Sequence, residues 1–88
     1  MYAKSKYVVG IPKGGFGDFL QAVVIPETMG HSDVHSVFVE GSITSAGFCS
    51  YGDDKVHVYG HSTGLGTASR PEDEILVGQA MSHPNYTT

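Results

Sequence analysis

The chain is short of cations, has a single cysteine and contains no long apolar run, and each shortage narrows what it does. Five Lys and Arg stand against nine Asp and Glu among 88 residues, a net charge of −4. The five cations do not cluster, which argues against nucleic acid or an anionic membrane as the main partner. One cysteine, Cys49, excludes an intramolecular disulfide and fits a reducing compartment. It lies in a Phe-Cys-Ser-Tyr run that reads as strand or hairpin, where a small buried hydrophobe is favoured over a nucleophile. The longest apolar run, residues 22–25, falls far below the ~18 residues of a membrane span. No targeting pattern is recognisable, so a cytoplasmic location is expected. Repeats, linkers and low-complexity tracts are also lacking, and residues 1–88 are expected to form one domain.

A chain of this size buries somewhat over ~60% of its unfolded surface. Such a core is small, and a homodimer that extends the sheet or covers its face is expected. Residues 6–11 read as a first strand, ended by Pro12, followed by the glycine-rich turn Lys13-Gly14-Gly15-Phe16-Gly17. That turn reads either as a hairpin connection, which we favour, or as a phosphate cradle. Residues 19–25 read as a second strand, continuous in Ala22-Val23-Val24-Ile25 and therefore buried on both faces. Residues 26–33 read as a loop. Residues 34–48 read as a third strand with a break near Gly41, a bulge or a hairpin. A turn at residues 51–54 and a fourth strand over residues 55–61 follow.

The most informative stretch is residues 56–66, Val-His-Val-Tyr-Gly-His-Ser-Thr-Gly-Leu-Gly. Its first four residues alternate as a two-faced strand does, and a loop with Gly60, Gly64 and Gly66 follows. Ser69 and Glu72 fit a capping box, and Pro71 suits a first helical turn. Leu76, Val77, Ala80 and Met81 then share a face of about 140° on a helix spanning Ser69–Ser82, wide enough to cover a sheet. His83-Pro84 stops it, and residues 85–88 read as a frayed tail or a short edge strand. The expected architecture is α+β, a mixed sheet of four or five strands with one C-terminal helix packed on it. Strand, glycine loop and helix start can aim backbone N–H groups at an anion; equally, the glycines can serve only a tight turn. No Gly-Lys-Ser/Thr closes the loop, so it is not a Walker P-loop.

The strand Val-His-Val-Tyr-Gly with its Ser-x-small-x-Gly loop resembles the signature of the phosphohistidine phosphatase (Janus/Ocnus) family. The likeness extends to Asp54-Lys55, to Glu74-Ile75, to Pro84-Asn85-Tyr86 with small gaps, and to Lys6-Tyr7-Val8-Val9 as a first strand. Together these cover roughly half the chain. The resemblance implies a phosphate site in which Ser62, Thr63 and Gly64 offer backbone N–H groups and Lys6 supplies positive charge. It implies His31 as general base on water, a role suited to imidazole, which titrates near neutrality. Phosphohistidine is the implied substrate, its P–N bond labile enough to need neither metal nor covalent intermediate.

Two departures accompany the match. The family places its catalytic histidine at the start of a long helix, but the chain between His31 and Gly41-Ser42-Ile43 is too short for that helix plus a full strand. Either the helix has shrunk to one turn, or it is absent and His31 is a turn residue. Ser42 also stands where the family carries an arginine.

Metal chemistry is not expected, and no cofactor is. His31 and His35 are four apart with Asp33 between them, but Gly30 and Pro26 disfavour an α-helix there and no third ligand is evident. His57 and His61 on a strand would lie ~13 Å apart, too far to share an ion. A Ser-His-Asp triad fails because His61 and Ser62, as strand neighbours, point to opposite faces. Two functions remain: a phosphatase acting on a phosphorylated ligand or protein, and a noncatalytic, homodimeric binding or interaction module that keeps only the fold.

Overall fold

The computed structural model describes residues 3–14, 19–52 and 55–82. Residues 15–17 of the glycine-rich turn, 53–54 of the following turn and the expected helix stop and tail at 83–88 lie outside them. The fold is α+β: a four-stranded sheet, a second small sheet and one C-terminal helix. Strands β1 (Ala3–Gly10), β2 (Gln21–Pro26), β3 (Ser45–Gly52) and β4 (Lys55–Tyr59) are ordered β2-β1-β3-β4. Every pairing among the described strands is antiparallel, where a mixed sheet was expected. Strands β5 (His61–Ser62) and β6 (Thr67–Ala68) form a separate hairpin, and helix α1 spans Asp73–Ser82.

Side chains alternate across β1, so the strand serves two cores at once. Tyr7 and Val9 face α1 with Cys49 and Val77, and Leu20, Ala22, Val24, Val56, Val58, Leu76 and Met81 pack against them. Val8 faces the other way, into a cluster with Ile25, Val34, Phe38 and Ala46. Residues 22–25 pack on both faces as their continuous apolar run implies, but only Ile25 is buried, and Ala22, Val23 and Val24 are half-buried on this edge strand. Helix α1 rests on the sheet through its expected face, with Val77 fully buried at its centre. Cys49 is buried as expected, and burial pushes its thiol up to about 11, unsuited to nucleophilic work.

Three local expectations are corrected. Residues 31–37, divided in the sequence reading between a loop and a third strand, form a 3-10 helix, His31–Val37. Asp33 starts it, its Oδ2 accepting the Gly30 N–H at 3.0 Å while its own N–H bonds the Gly30 carbonyl. The three-residue period places His31 and Val34 on the buried side and leaves His35 exposed, so the two histidines diverge. The third strand accordingly begins only at Ser45. The fourth ends at Tyr59, because Gly60 turns the chain at φ +77° before β5.

The helix, third, begins at Asp73 rather than Ser69. Ser69 Oγ donates instead to the Gly60 carbonyl at 2.9 Å, and Asp73 accepts the Arg70 N–H at 2.9 Å. Asp73 is fully buried. It also accepts the Tyr7 hydroxyl at 2.6 Å, and its Oδ1 receives Nε and Nη2 of Arg70 at 3.0 and 2.8 Å. Burial alone would raise the Asp73 pKa, but hydrogen bonds from Tyr7, the Arg70 amide and the Arg70 guanidinium hold it below the ordinary 3.8. Ser45 Oγ makes no well-formed hydrogen bond, yet lies close enough to Asp73 to favour the charged carboxylate. Burial, then the bond to Asp73, drives the Tyr7 hydroxyl the other way, far above its ordinary 10.0.

These shifts fix the pH dependence of stability. Asp73, depressed in the fold, stabilises above 3.8, and that contribution is lost as pH falls through its folded value. Tyr7, raised in the fold, stabilises below 10.0, and that contribution is lost as pH rises beyond it. Tyr7→Phe removes a hydrogen bond to a buried charge and should cost about 1.5–3 kcal/mol, lowering Tm by roughly 6–24 °C. Thermal melts across pH should show its acid transition shifted upward, because Asp73 then loses a donor. An unchanged Tm and acid limb would contradict this network.

Candidate functional site

The face of the sheet away from α1 changes character along its length. Val8 and Ala46 are apolar; the next row across the strands is Lys6, Phe48 and Tyr59, and beyond it come Lys4, Ser50 and His57. The Phe48 ring is the centre of this patch. Lys4 Nζ lies over it at 5.0 Å from the centroid and Lys6 Nζ at 6.0 Å. Tyr59 stacks on it with centroids 5.9 Å apart, and His31 meets it edge-on at 5.5 Å. Lys4 also pairs with Glu27 at 3.4 Å on the surface. Among the described residues no carboxylate forms an ion pair with Lys6.

His31 opens the 3-10 helix and is 8% exposed. Its Nε2 lies 2.7 Å from the Gly47 carbonyl. A carbonyl only accepts, so Nε2 carries the proton, and in the neutral ring Nδ1 holds the lone pair. Gly47 is required at that point, since a Cβ there would sit 2.6 Å from the Tyr59 carbonyl and 3.0 Å from Ser69 Cβ. Gly60 supports the ring from its own side. Its φ is +77° and a Cβ there would lie 2.9 Å from Phe48 Cδ2.

The loop residues expected to cradle phosphate have different situations. Ser62 is buried, and its hydroxyl accepts the Leu65 N–H at 3.2 Å, holding the turn rather than facing a ligand. Thr63 is exposed, and its carbonyl accepts the Gly66 N–H. Gly64 is exposed beside the start of the 3-10 helix, where an added Cβ would lie 3.6 Å from Ser32 Cβ and Oγ. Its amide has no hydrogen-bond partner among the described residues. Gly66, with φ +66°, is the turn glycine that conformation demands; Gly64 has no positive φ. This loop is the turn of the β5–β6 hairpin and does not open into α1, whose first residue turns its carboxylate inward onto Tyr7. The expected strand–loop–helix cradle is therefore reduced to the turn alone.

Lys6, His31 and Gly64 are thus brought to one side of the sheet by β1, the 3-10 helix and the hairpin turn. The arrangement offers a free cation, an imidazole with a fixed tautomer and an unpaired amide. Sequence reading missed Phe48, Tyr59 and Lys4, although the period-two spacing of Lys4, Lys6 and Val8 carried a signal that they share a face. Ser42 belongs to the opposite end, where its Oγ accepts the Ile11 N–H at 3.0 Å and donates to the Val39 carbonyl at 2.7 Å. The described residues contain no group of three or more His, Cys, Asp or Glu able to hold a metal ion.

Gly60→Ala and Gly66→Ala separate strain from contact. Both impose a left-handed conformation on alanine, costing about 1–2 kcal/mol, but only Gly60→Ala also drives a methyl into Phe48. The Gly60 variant should melt lower than the Gly66 variant and should alone shift the His31 and Tyr59 ring resonances. Equal losses, with those rings undisturbed, would show that the packing around Phe48 does not depend on Gly60. Compared with protein-family models, curated proteins and solved structures, the chain matches none.

Proposed function

We propose that the protein binds a phosphoryl group on the Phe48 face and hydrolyses it from a nitrogen, as a metal-independent phosphohistidine phosphatase does. The observation that carries this reading is the convergence on Phe48 of His31, with Nδ1 left as base, and of Lys6, with the Gly64 amide beside Ser32. The resemblance of residues 56–66 to the phosphohistidine phosphatase signature supports it. Lys6 and the Gly64 N–H would hold phosphoryl oxygens and offset the charge that grows on them. His31 Nδ1 would take a proton from the attacking water as its oxygen bonds to phosphorus and the P–N bond breaks. The departing nitrogen takes a proton from solvent, and His31 returns its own to solvent. The Gly47 carbonyl would steady the imidazolium so formed, because Nε2–H already donates to it.

Release of phosphate from a phosphohistidine peptide tests the chemistry. His31→Gln keeps an Nε2 donor for the Gly47 carbonyl and removes the base, so turnover should fall by about 100-fold or more while phosphate binding persists. Lys6→Ala should weaken phosphate binding, followed by the NMR shift of the Gly64 amide. Full turnover by His31→Gln would remove His31 from the reaction. Absence of both turnover and phosphate-induced shifts in the wild-type protein would remove the site.

A second reading, a noncatalytic homodimeric module, is favoured by one observation. Among the described residues, strand β4 is an unpaired sheet edge with no proline, whereas the other edge, β2, ends in Pro26. A second copy pairing along β4 would cover the exposed Tyr59. Sedimentation at micromolar concentration should then give twice the 9.3 kDa of the chain, and a 9.3 kDa species alone would count against it.

A further inference from the structure

Strand β4 borders an open groove of about 450 Å³, in which Lys55, Val56 and His57 face Glu74 and Ile75 of α1. Ile75 is 67% exposed there, and Tyr59, at the end of the strand, is 42% exposed. Among the described residues no strand pairs with this edge, and no carboxylate forms an ion pair with Lys55. The Tyr59 ring stacks with one face on Phe48. Phe48 belongs to the neighbouring strand β3, so the other face of Tyr59 is turned outward across the edge.

An unpaired edge accepts another extended segment, and the residues of β4 suit a copy of itself. Lys55-Val56-His57-Val58-Tyr59 is patterned alike from both ends, with a valine on each side of His57. In an antiparallel pair opposed residues share a face, so a two-fold axis normal to the sheet passes between a residue and its own copy. With His57 on that axis all five residues find partners; any other centre leaves at least two of the five without one. Val56 then faces the partner's Val58 on the side of α1, where Ile75 of each copy borders the seam. Lys55 faces the partner's Tyr59 on the opposite side.

We infer that a second copy of the chain pairs with β4 antiparallel about His57, and that its Lys55 caps the outward face of Tyr59. This rests on the homodimeric reading and deepens it by fixing the register. The row Lys6, Phe48, Tyr59 is thereby continued by the partner's Lys55, which completes the aromatic face from outside the chain. A cation is attracted to the face of an aromatic ring, and the two-fold axis makes this contact twice.

The test uses the full chain in sedimentation and in disulfide capture with diamide as oxidant. His57→Cys should be captured as a covalent dimer of twice the 9.3 kDa chain, because its two copies on the axis lie within the ~7 Å that a disulfide spans. Lys55→Cys should not be captured, since its copies are displaced by four residues, ~13 Å along the strands. The wild-type protein, with Cys49 buried, is the control. Lys55→Ala should raise the dimer Kd about five- to thirty-fold. Ile75→Glu, which removes apolar surface from the seam, should raise it about ten-fold or more. A wild-type dimer that His57→Cys does not capture, or that Lys55→Ala and Ile75→Glu leave unchanged, overturns this inference alone. A 9.3 kDa species alone leaves the edge to an extended segment of another protein, and overturns the homodimeric reading along with it.

Discussion

The ionised carboxylate of Asp73, fully buried beneath the first turn of α1, is the interaction on which the arrangement of the whole molecule turns. A charge removed from water persists only where donors replace its hydration, and Tyr7 and Arg70 supply them. Tyr7 belongs to the central strand β1, so the same bonds that keep the charge tolerable pin the helix start onto the middle of the sheet. With α1 held there, Val77, Leu76 and Met81 close one face. That leaves the opposite face to the 3-10 helix, the β5–β6 hairpin and the cations of β1.

The second face is organised around an aromatic ring rather than around a charge. Phe48 lies on the strand between Lys6 and Tyr59, and glycine at positions 47 and 60 lets backbone and ring approach closely. One of these close approaches presents the Gly47 carbonyl to His31. The imidazole is oriented from below by a strand and at its edge by Phe48, which is how a seven-residue 3-10 helix can position a histidine at all. A short helix is a weak platform by itself, since its hydrogen bonds are few and poorly aligned. Here the sheet supplies the rigidity.

Much of this was legible in the sequence where one physical signal dominated. Alternation marked β4, the continuous apolar run marked β2, which packs on both faces, and helical spacing marked the face of α1. Cys49 read as a buried hydrophobe for the same reason. The misreadings fall where two signals compete. Residues 34–39, Val-His-Ser-Val-Phe-Val, are β-branched and aromatic enough to read as a strand, but the Asp33 cap on Gly30 starts a 3-10 helix just upstream. Ser69 and Glu72 fit a capping box by type and spacing, yet Ser69 bonds Gly60 and the capping carboxylate is Asp73, chosen by its contact with Tyr7, far away in the chain. Lys6 and His31 were named from the sequence, but the Phe48 ring against which both lie was not. Phe48 acquires its role only when β3 is set beside both β1 and β4, a pairing no local pattern discloses.

Alternation along β1 also keeps the two faces of the sheet physically separate. Tyr7 and Val9 answer to the helix and its buried carboxylate; Lys4, Lys6 and Val8 answer to the opposite face. Because neighbouring residues point to opposite sides, a change in the cations need not disturb the packing that holds the sheet to α1. The reverse does not hold. Ser69 bonds the Gly60 carbonyl, and Gly60 touches Phe48, so any shift in the segment leading into α1 reaches the aromatic ring directly. The face with the cations can vary at little cost to the fold, whereas the fold cannot loosen at residues 60–73 without moving the ring on which His31, Lys6 and Tyr59 converge.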